Sequence, residues 1–239
     1  MTKSTRRFRA SYRARNSLLF KVAAVGACLG AMATVNKALS MWAERKHLPK
    51  GRFLDVDGVK LHYLDQGSGP VLVFLHGNGS MIDDFTSSGL ISEAAKHYRV
   101  IAFDRPGFGH SSRPRDTVWT ASAQAHLIHR ALSQLGVSEF SVFGHSWGAS
   151  VAIAMGIRHP DHVRSLVLAS GYYYPVPMMS MFLLTAPALP LIGDILAHTI
   201  APAISRFLWQ GMIAKIFKPA KAPQKFRSFP KSMALRPSQ

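Results

Sequence analysis

Residues 140–150 of the chain read F-S-V-F-G-H-S-W-G-A-S, and this stretch decides how the rest of the sequence is interpreted. Its apolar first residues predict a strand, and the small-residue segment 149–157 predicts a helix. Between them, Gly144 and Gly148 allow a tight turn with Ser146 at its apex. The start of a helix offers free backbone N–H groups and a dipole that favour developing negative charge. The stretch therefore predicts an exposed, reactive Ser146 hydroxyl.

The five residues Gly144-His145-Ser146-Trp147-Gly148 match the G-x-S-x-G pattern of a nucleophile elbow. In such an elbow a strand precedes the serine and a helix follows it, which is the context predicted here.

A second loop supplies the groups that a nucleophilic serine needs nearby. Residues 71–75 are all apolar and predict a buried strand, which ends at His76-Gly77-Asn78-Gly79. Glycines in this position let the following backbone N–H groups turn toward a substrate oxygen. We expect the N–H groups of Asn78 and Trp147 to form an oxyanion hole, with His76, Gly77 and Gly79 as supporting residues of the loop.

A third predicted strand, residues 99–103, ends in D-R-P-G-F-G-H-S at 104–111. Its glycine spacing does not match a Walker A phosphate loop, and the sequence contains no G-x-G-x-x-G. We interpret this segment as a structural loop in which Asp104 bonds the turn and is not an acid catalyst.

From about residue 52 to residue 174 the chain resembles the core of the α/β-hydrolase family. The motifs that carry the resemblance are H-G-N-G, D-R-P-G-F-G-H-S and G-H-S-W-G, in the family's order. The resemblance implies an α/β fold with a mostly parallel sheet after an N-terminal hairpin, and a helical cap over the nucleophile. It points to the serine esterase and haloperoxidase-like branch. Relatives with Asp at the elbow instead form ester intermediates from haloalkanes or epoxides.

The resemblance also implies a function, which is hydrolysis of carboxylic esters or related acyl compounds through an acyl-enzyme on Ser146. The expected partner is a small apolar acyl substrate, and neither a cofactor nor a metal is expected. No sequence feature sets the oligomeric state.

In this fold the triad acid and histidine follow the serine, on loops after two further strands. The acidic residues and histidines that follow Ser146 here are Asp161, Asp194, His159, His162 and His198. None follows a predicted strand, so we expect the C-terminal strands to be missing and the acid and base to lie beyond residue 239. The alternative hypothesis is a truncated, catalytically inactive membrane-tethered remnant or an apolar-ligand binding module.

Charge is concentrated at the two ends of the chain. The 29 Lys and Arg residues exceed the 12 Asp and Glu residues, for a formal charge of +17. Residues 1–52 hold 12 of the basic residues and residues 206–239 hold 8, whereas residues 53–205 hold 9 basic and 11 acidic residues. The folded middle therefore carries no basic surface for nucleic acid. The single cysteine, Cys28, excludes an internal disulfide.

The N-terminus divides into a basic leader (1–16), an apolar segment (17–42) and a linker (43–51). The apolar segment predicts an uncleaved single-pass membrane anchor. Two alternatives stay open: a signal peptide cleaved at the A-x-A site of residues 31–33, which would give a secreted protein, and a soluble arm. If the segment spans a bilayer, the basic leader stays cytoplasmic, although the basic residues 45–52 weaken that orientation.

The remaining segments are simpler. Residues 52–65 predict a hairpin that turns at Asp57-Gly58, and residues 120–135 predict a helix. His126 and His129 on this helix are interpreted as surface residues and not as metal ligands, and His159 and His162 as structural.

Residues 52–175 form the predicted hydrolase core. The Met- and Leu-rich residues 176–219 form the predicted helical cap with an apolar pocket, and residues 220–239 form a basic, proline-containing tail.

Overall fold

The structure is a computed structural model that describes residues 3–171, residue 173 and residues 192–237. Its strands are β1 Arg52–Val56, β2 Val59–Gln66, β3 Val71–Leu75, β4 Arg99–Phe103, β5 Phe140–His145 and β6 Val163–Ala169. Within the described ranges the α-helices are α1 Lys3–Lys46, α2 Ile82–Ser88, α3 Leu90–Ala94, α4 Ala121–Gln134, α5 Trp147–Arg158, α6 Ile192–His198, α7 Ala201–Ile216 and α8 Lys231–Ala234. A 3₁₀ helix, Gln224–Ser228, precedes α8.

The strands form one mixed sheet in the order β1-β2-β4-β3-β5-β6. The predicted hairpin is confirmed: β1 and β2 are antiparallel, and Asp57 and Gly58 turn between them with φ of 54° and 77°. Positive φ at both turn residues matches the right-handed twist of the flanking strands. The pairs β3–β4, β3–β5 and β5–β6 are parallel. The predicted α/β fold with a mostly parallel sheet after a hairpin is therefore confirmed.

Both faces of the sheet are covered because its central strands are apolar on both sides. In β3, Val73 and Leu75 pack into one core cluster with residues of α4 and α5, whereas Phe74 packs into a second cluster with α2 and α3. This is the alternation expected of a strand buried between two helical layers.

The parallel register brings three strand ends to one edge of the sheet. Leu75 pairs with Phe103 on β4 and with Gly144 on β5. The residues that follow these strands, His76, Asp104 and Ser146, are therefore neighbours although the sequence separates them widely.

At the N-terminus, the predicted leader, apolar segment and first part of the linker form one continuous helix, α1, which ends at Lys46. The final turns of α1 pack on the domain. Ala43 is fully buried against Met81, Phe229 and Met233, and the Arg236 guanidinium bonds Glu44 and the Gly109 carbonyl. The tail predicted for 220–239 is thus folded onto α1 over its described part.

Residues 176–191 of the predicted cap lie outside the described residues, and α6 and α7 follow them. At the other edge of the described sheet lies β6, whose Val167 and Leu168 are exposed.

Candidate active site

Ser146 lies at the apex of a strained turn between β5 and α5. Its φ of 53° and ψ of −119° fall outside the regions that non-glycine residues ordinarily adopt, and its backbone N–H donates to the Ala169 carbonyl over 2.8 Å. Ser146 is half-buried. Strain of this kind is maintained only where the surroundings enforce it, and it concentrates at functional sites.

Three glycines allow the chain to pack around Ser146. A Cβ on Gly148 would lie 2.1 Å from the Leu75 carbonyl oxygen, and a Cβ on Gly144 would lie 2.6 Å from the Ala149 Cα. Gly77, from the loop after β3, lies against the serine itself, because a Cβ there would come within 3.0 Å of the Ser146 Cβ. The turn and the neighbouring loop therefore need glycine for lack of space.

The two predicted oxyanion donors flank this contact. Asn78 follows Gly77, and Trp147 is the first residue of α5. Neither backbone N–H donates to another group within the described part of the chain, as is required of donors that face a substrate oxygen. Their catalytic role stays a prediction.

A buried network around Arg105 holds the loop after β3 in place. The Arg105 side chain is fully buried, and its guanidinium donates to the His76 carbonyl (2.7 Å), to Gln124 Oε1 (3.0 Å) and to Asn78 Oδ1 (2.8 Å). It also lies 4.7 Å from the centre of the Phe108 ring. Burial lowers the pKa of Arg105 to about 9, so the group is still charged at neutral pH.

His76 belongs to the same network and is neutral. Its Nε2 accepts from the Arg105 backbone N–H over 3.0 Å, and its Nδ1 donates to the Gly77 carbonyl over 2.7 Å. Burial, followed by the nearby Arg105 charge, lowers the pKa of His76 to about 3. With both ring nitrogens engaged, His76 is a structural support of the loop and not a base for Ser146.

Asp104 bonds the neighbouring loop as predicted. Its buried carboxylate accepts from His62 Nδ1 (2.7 Å), from the Ile82 N–H (2.8 Å) and from the His110 N–H (2.9 Å). Burial raises the pKa of Asp104, but the hydrogen bond and charge of His62, with the further donors, outweigh burial and hold that pKa below its usual value. Asp104 thereby joins β2, α2 and the loop after β4.

Comparison with known proteins assigns the chain to a family. The sequence model of the alpha/beta hydrolase fold matches residues 70–235. The chain is an α/β-hydrolase. It is 34% identical over 129 residues to 2-hydroxymuconate semialdehyde hydrolase of Pseudomonas sp. (strain CF600), which is 53% of this chain and 46% of the relative.

Two further similarities agree with that assignment. Haloalkane dehalogenase 2 of Mycobacterium bovis is 28% identical over 132 residues, which cover 55% of this chain and 46% of the relative. The crystal structure of a membrane phospholipase A, a bacterial virulence factor, superimposes with a TM-score of 0.59 at 22% identity, over 95% of this chain and 71% of that chain. The hydrolase spans about half the length of the curated relatives it matches.

Of the three histidines that follow Ser146, His198 lies on α6, and the other two do not reach the serine from α5. His159 and His162 come after the last residue of α5, a helix of 12 residues and thus about 18 Å long. They meet the two histidines of α4 there: the His129 and His159 rings stack with centroids 3.7 Å apart, and the His129 and His162 centroids lie 4.8 Å apart. The sequence predicts surface positions for the two histidines of α4 and structural roles for the other two, and these roles stay predictions. It gives no sign that the four side chains form one cluster.

Burial, followed by the charges of neighbouring histidines, lowers the pKa of both His129 and His159. His162 Nδ1 lies 2.6 Å from the Ser138 carbonyl, a contact that supports the structural role predicted for it.

His145, directly before the serine, has a partner that sequence analysis missed. Its Nδ1 lies 3.6 Å from Asp84 Oδ2 on α2 and makes no hydrogen bond within the described ranges. No spacing signal links positions 84 and 145, because their proximity depends on how α2 packs beside β5.

A cavity of about 360 Å³ lies elsewhere in the hydrolase, between the end of α1, β2 and α2. Its lining includes Lys46, His62, Met81 and Met233 and does not include Ser146. The apolar pocket predicted beneath the cap would involve cap residues 176–191, which fall outside the described part of the chain.

Proposed function

We propose that this chain is a serine hydrolase of carboxylic esters or related small apolar acyl compounds. The observation that carries the proposal is the strained Ser146 at the apex of the elbow, with Gly77 packed against it. The backbone N–H groups of Asn78 and Trp147, next to this contact in the chain, have no acceptor among the described residues. In the reaction, Ser146 Oγ bonds to the carbonyl carbon while its proton passes to a base, and the carbonyl oxygen becomes an oxyanion held by the Asn78 and Trp147 N–H groups. Each such donor contributes about 2.7–4 kcal/mol to stabilisation of the transition state.

Collapse of the tetrahedral intermediate breaks the ester bond, and the leaving alcohol takes up the proton. Water then attacks the acyl-enzyme in the same way, which releases the acid and restores Ser146. The helix dipole of α5 stabilises the negative charge in both steps.

Serine at the elbow favours acyl chemistry over the chemistry of the dehalogenase relative. A carboxylate at this position would attack carbon bearing a halogen, whereas a hydroxyl attacks a carbonyl carbon. The similarity to 2-hydroxymuconate semialdehyde hydrolase and to the dehalogenase supports a hydrolase in general, and the residue at position 146 supports the acyl class.

We also propose that α1 is a membrane anchor. Residues Leu19–Lys46 form a helix long and apolar enough to cross a bilayer, and only 6% of its most apolar window is buried in the protein. A core helix of a soluble domain would instead be mostly buried. The anchor proposal predicts that the chain extracted from membranes keeps its N-terminus, whereas signal cleavage would remove residues up to about 33; intact mass distinguishes the two.

A second candidate function is binding of an apolar ligand without turnover. It is favoured by one observation: among the described residues, no group hydrogen-bonds to the Ser146 hydroxyl.

Fluorophosphonate labelling of the purified chain, read by intact mass, separates the two candidates. Ser146→Ala is the test variant, and Ser150→Ala, one turn further along α5, is the matched control. We expect stoichiometric labelling of the wild type and of Ser150→Ala and none of Ser146→Ala. Absence of labelling in a chain that circular dichroism shows to be folded would overturn the hydrolase proposal for this chain and favour the binding module.

A further inference from the structure

Helix α7 has an outward face that is apolar. Pro202, Arg206, Trp209 and Ile213, spaced three or four residues apart, point toward the protein and are at least partly buried. The exposed apolar residues on the rest of the helix surface form the α7 apolar face, which consists of Ile204, Phe207, Leu208, Met212 and Ile216. Phe207 is 87% exposed and Ile216 is 65% exposed. A helix on the surface of a water-soluble domain has the reverse arrangement.

The start of α7 is tied to α1 in the C-terminal half of the apolar segment 17–42. Asn36 donates to the carbonyls of His198 (2.9 Å) and Thr199 (2.7 Å), and Arg206 donates to Asn36 Oδ1 over 2.9 Å. Asn36 and Lys37 are the first strongly polar residues after the uncharged stretch 22–35 of that segment. If this stretch lies in a bilayer, the first turns of α7 lie near its surface.

The charge of this region matches an anionic lipid surface. Residues 195–239 contain eight basic residues and no acidic residue. Lys215 lies on α7 and Lys218 just after it, in addition to Arg206, which bonds Asn36. Trp42, half-exposed on α1, lies beneath the Lys46 ammonium at 4.8 Å, and aromatic and basic side chains together are typical of membrane interfaces.

We propose that the α7 apolar face inserts into the interface of an anionic bilayer and forms a second membrane contact beside α1. Its apolar side chains lie among the upper acyl chains, while the basic residues after it meet the lipid headgroups. A second copy of the chain is a less suitable occupant, because two such basic regions would repel each other. The proposal rests on membrane anchoring by α1 and is independent of the acyl chemistry proposed for Ser146.

The test places an environment-sensitive fluorophore at single cysteines of the full chain in vesicles of phosphatidylcholine and phosphatidylglycerol. Cys28→Ser/Phe207→Cys reports on the α7 apolar face. Cys28→Ser/Ile157→Cys is the matched control, because Ile157 is an apolar helix residue that is 75% exposed on α5. The wild-type Cys28, exposed on α1, reports on the anchor.

We expect the probe at position 207 to shift to the blue and to be quenched several-fold more by nitroxide lipids than the probe at position 157. The difference should shrink in vesicles of phosphatidylcholine alone. A probe at 207 that stays as aqueous as the probe at 157 would overturn the proposal, and Cys28 then shows whether the anchor fails too. A blue shift at 207 that vanishes when the chain is diluted to one copy per vesicle would overturn it as well, since a second copy would then be the occupant.

Discussion

Two regions depart from the usual distribution of polar and apolar groups, in opposite directions. The carboxyl edge of the sheet buries polar side chains, whereas α7, beside α1, exposes apolar ones. At the sheet edge, Arg105, His76 and Asp104 are buried, and each is surrounded by hydrogen-bond partners from the chain itself. On α7, Phe207 and the other residues of the apolar face are exposed within the described part of the chain.

The difference indicates what each region needs from its surroundings. Buried charge is tolerated only where local groups replace water, and such a network holds its members in one arrangement. Here the arrangement fixes the loop that carries Gly77 and Asn78 beside Ser146. Exposed apolar surface instead calls for an external apolar phase. The buried polar groups of the sheet edge are paired by other groups of the chain. The apolar face of α7 would be covered by the membrane that we propose.

The largest expected difference in stability between the two regions comes from adding one methyl group to a glycine in each of them. Gly148→Ala forces a Cβ to within 2.1 Å of the Leu75 carbonyl oxygen, whereas the Cβ of Gly211→Ala on α7 meets nothing within 4 Å. We expect Gly148→Ala to lose more than the about 1–3 kcal/mol typical of overpacked cores. Gly211→Ala should gain about 0.5–1 kcal/mol, because alanine favours a helix. Urea unfolding in detergent measures both, and equal effects would contradict the comparison.

The second largest expected loss of stability comes from removing the buried guanidinium of Arg105. Arg105→Ala removes the donor from two buried acceptors, the His76 carbonyl and Gln124 Oε1, each of which costs about 1–3 kcal/mol when left unpaired, and from the exposed Asn78. We therefore expect a loss of at least about 2 kcal/mol in the free energy of unfolding.

Arg105→Lys should recover only part of this loss, because an ammonium lacks the planar fork that reaches all three acceptors. Arg113→Ala, at an exposed arginine, is the control and should change stability by less than about 0.5 kcal/mol. A mild effect at position 105 would mean that the network does not hold the loop.

Acid should weaken the sheet region and the histidine cluster. The pKa values of His76, His129 and His159 are lowered in the folded chain, so between those values and about 6.5 the unfolded chain binds more protons. Stability is then fully present above about pH 6.5 and declines as the pH falls. Asp104, whose pKa is also lowered, adds a further loss below about pH 4.

Urea unfolding at pH 8, 6.5 and 5 tests this dependence. His129→Gln/His159→Gln should reduce the decline between pH 6.5 and 5. The slope that remains belongs to His76 together with His110 and His47, whose pKa values burial also lowers. Stability that is independent of pH over this range would contradict the lowered pKa values.

Sequence analysis succeeded where the signal is local. The elbow and the Asp57-Gly58 turn follow from glycine and turn chemistry within a few residues, and the helix over 120–135 follows from its spacing of apolar residues. The structure adds that Thr120 caps this helix by accepting from the Ala123 N–H.

Contacts that depend on packing between distant segments carry no local signal in the sequence and were not predicted. Arg105 and Asn78 are 27 residues apart and meet only because β3 and β4 end in register. Asn36 and Arg206 are 170 residues apart and likewise meet only through packing between distant segments. The apolar face of α7 could be seen as a Met- and Leu-rich composition, but which side faces outward became clear only once Arg206 and Trp209 were placed against the protein.

The smallest expected change in the free energy of unfolding is that from truncating an exposed apolar side chain on α7. Phe207 is 87% exposed, so Phe207→Ser should change the free energy of unfolding by no more than about 0.5 kcal/mol in detergent. Phe229 is its counterpart within the fold, since its ring stacks on Phe226 at 5.1 Å and on Trp209 at 6.0 Å; truncation there should cost about 3–5 kcal/mol. A large loss from Phe207→Ser would mean that the side chain supports the fold itself, and the exposed face of α7 would then need no membrane to explain it. A negligible loss leaves its apolar character to be explained by what lies outside the protein.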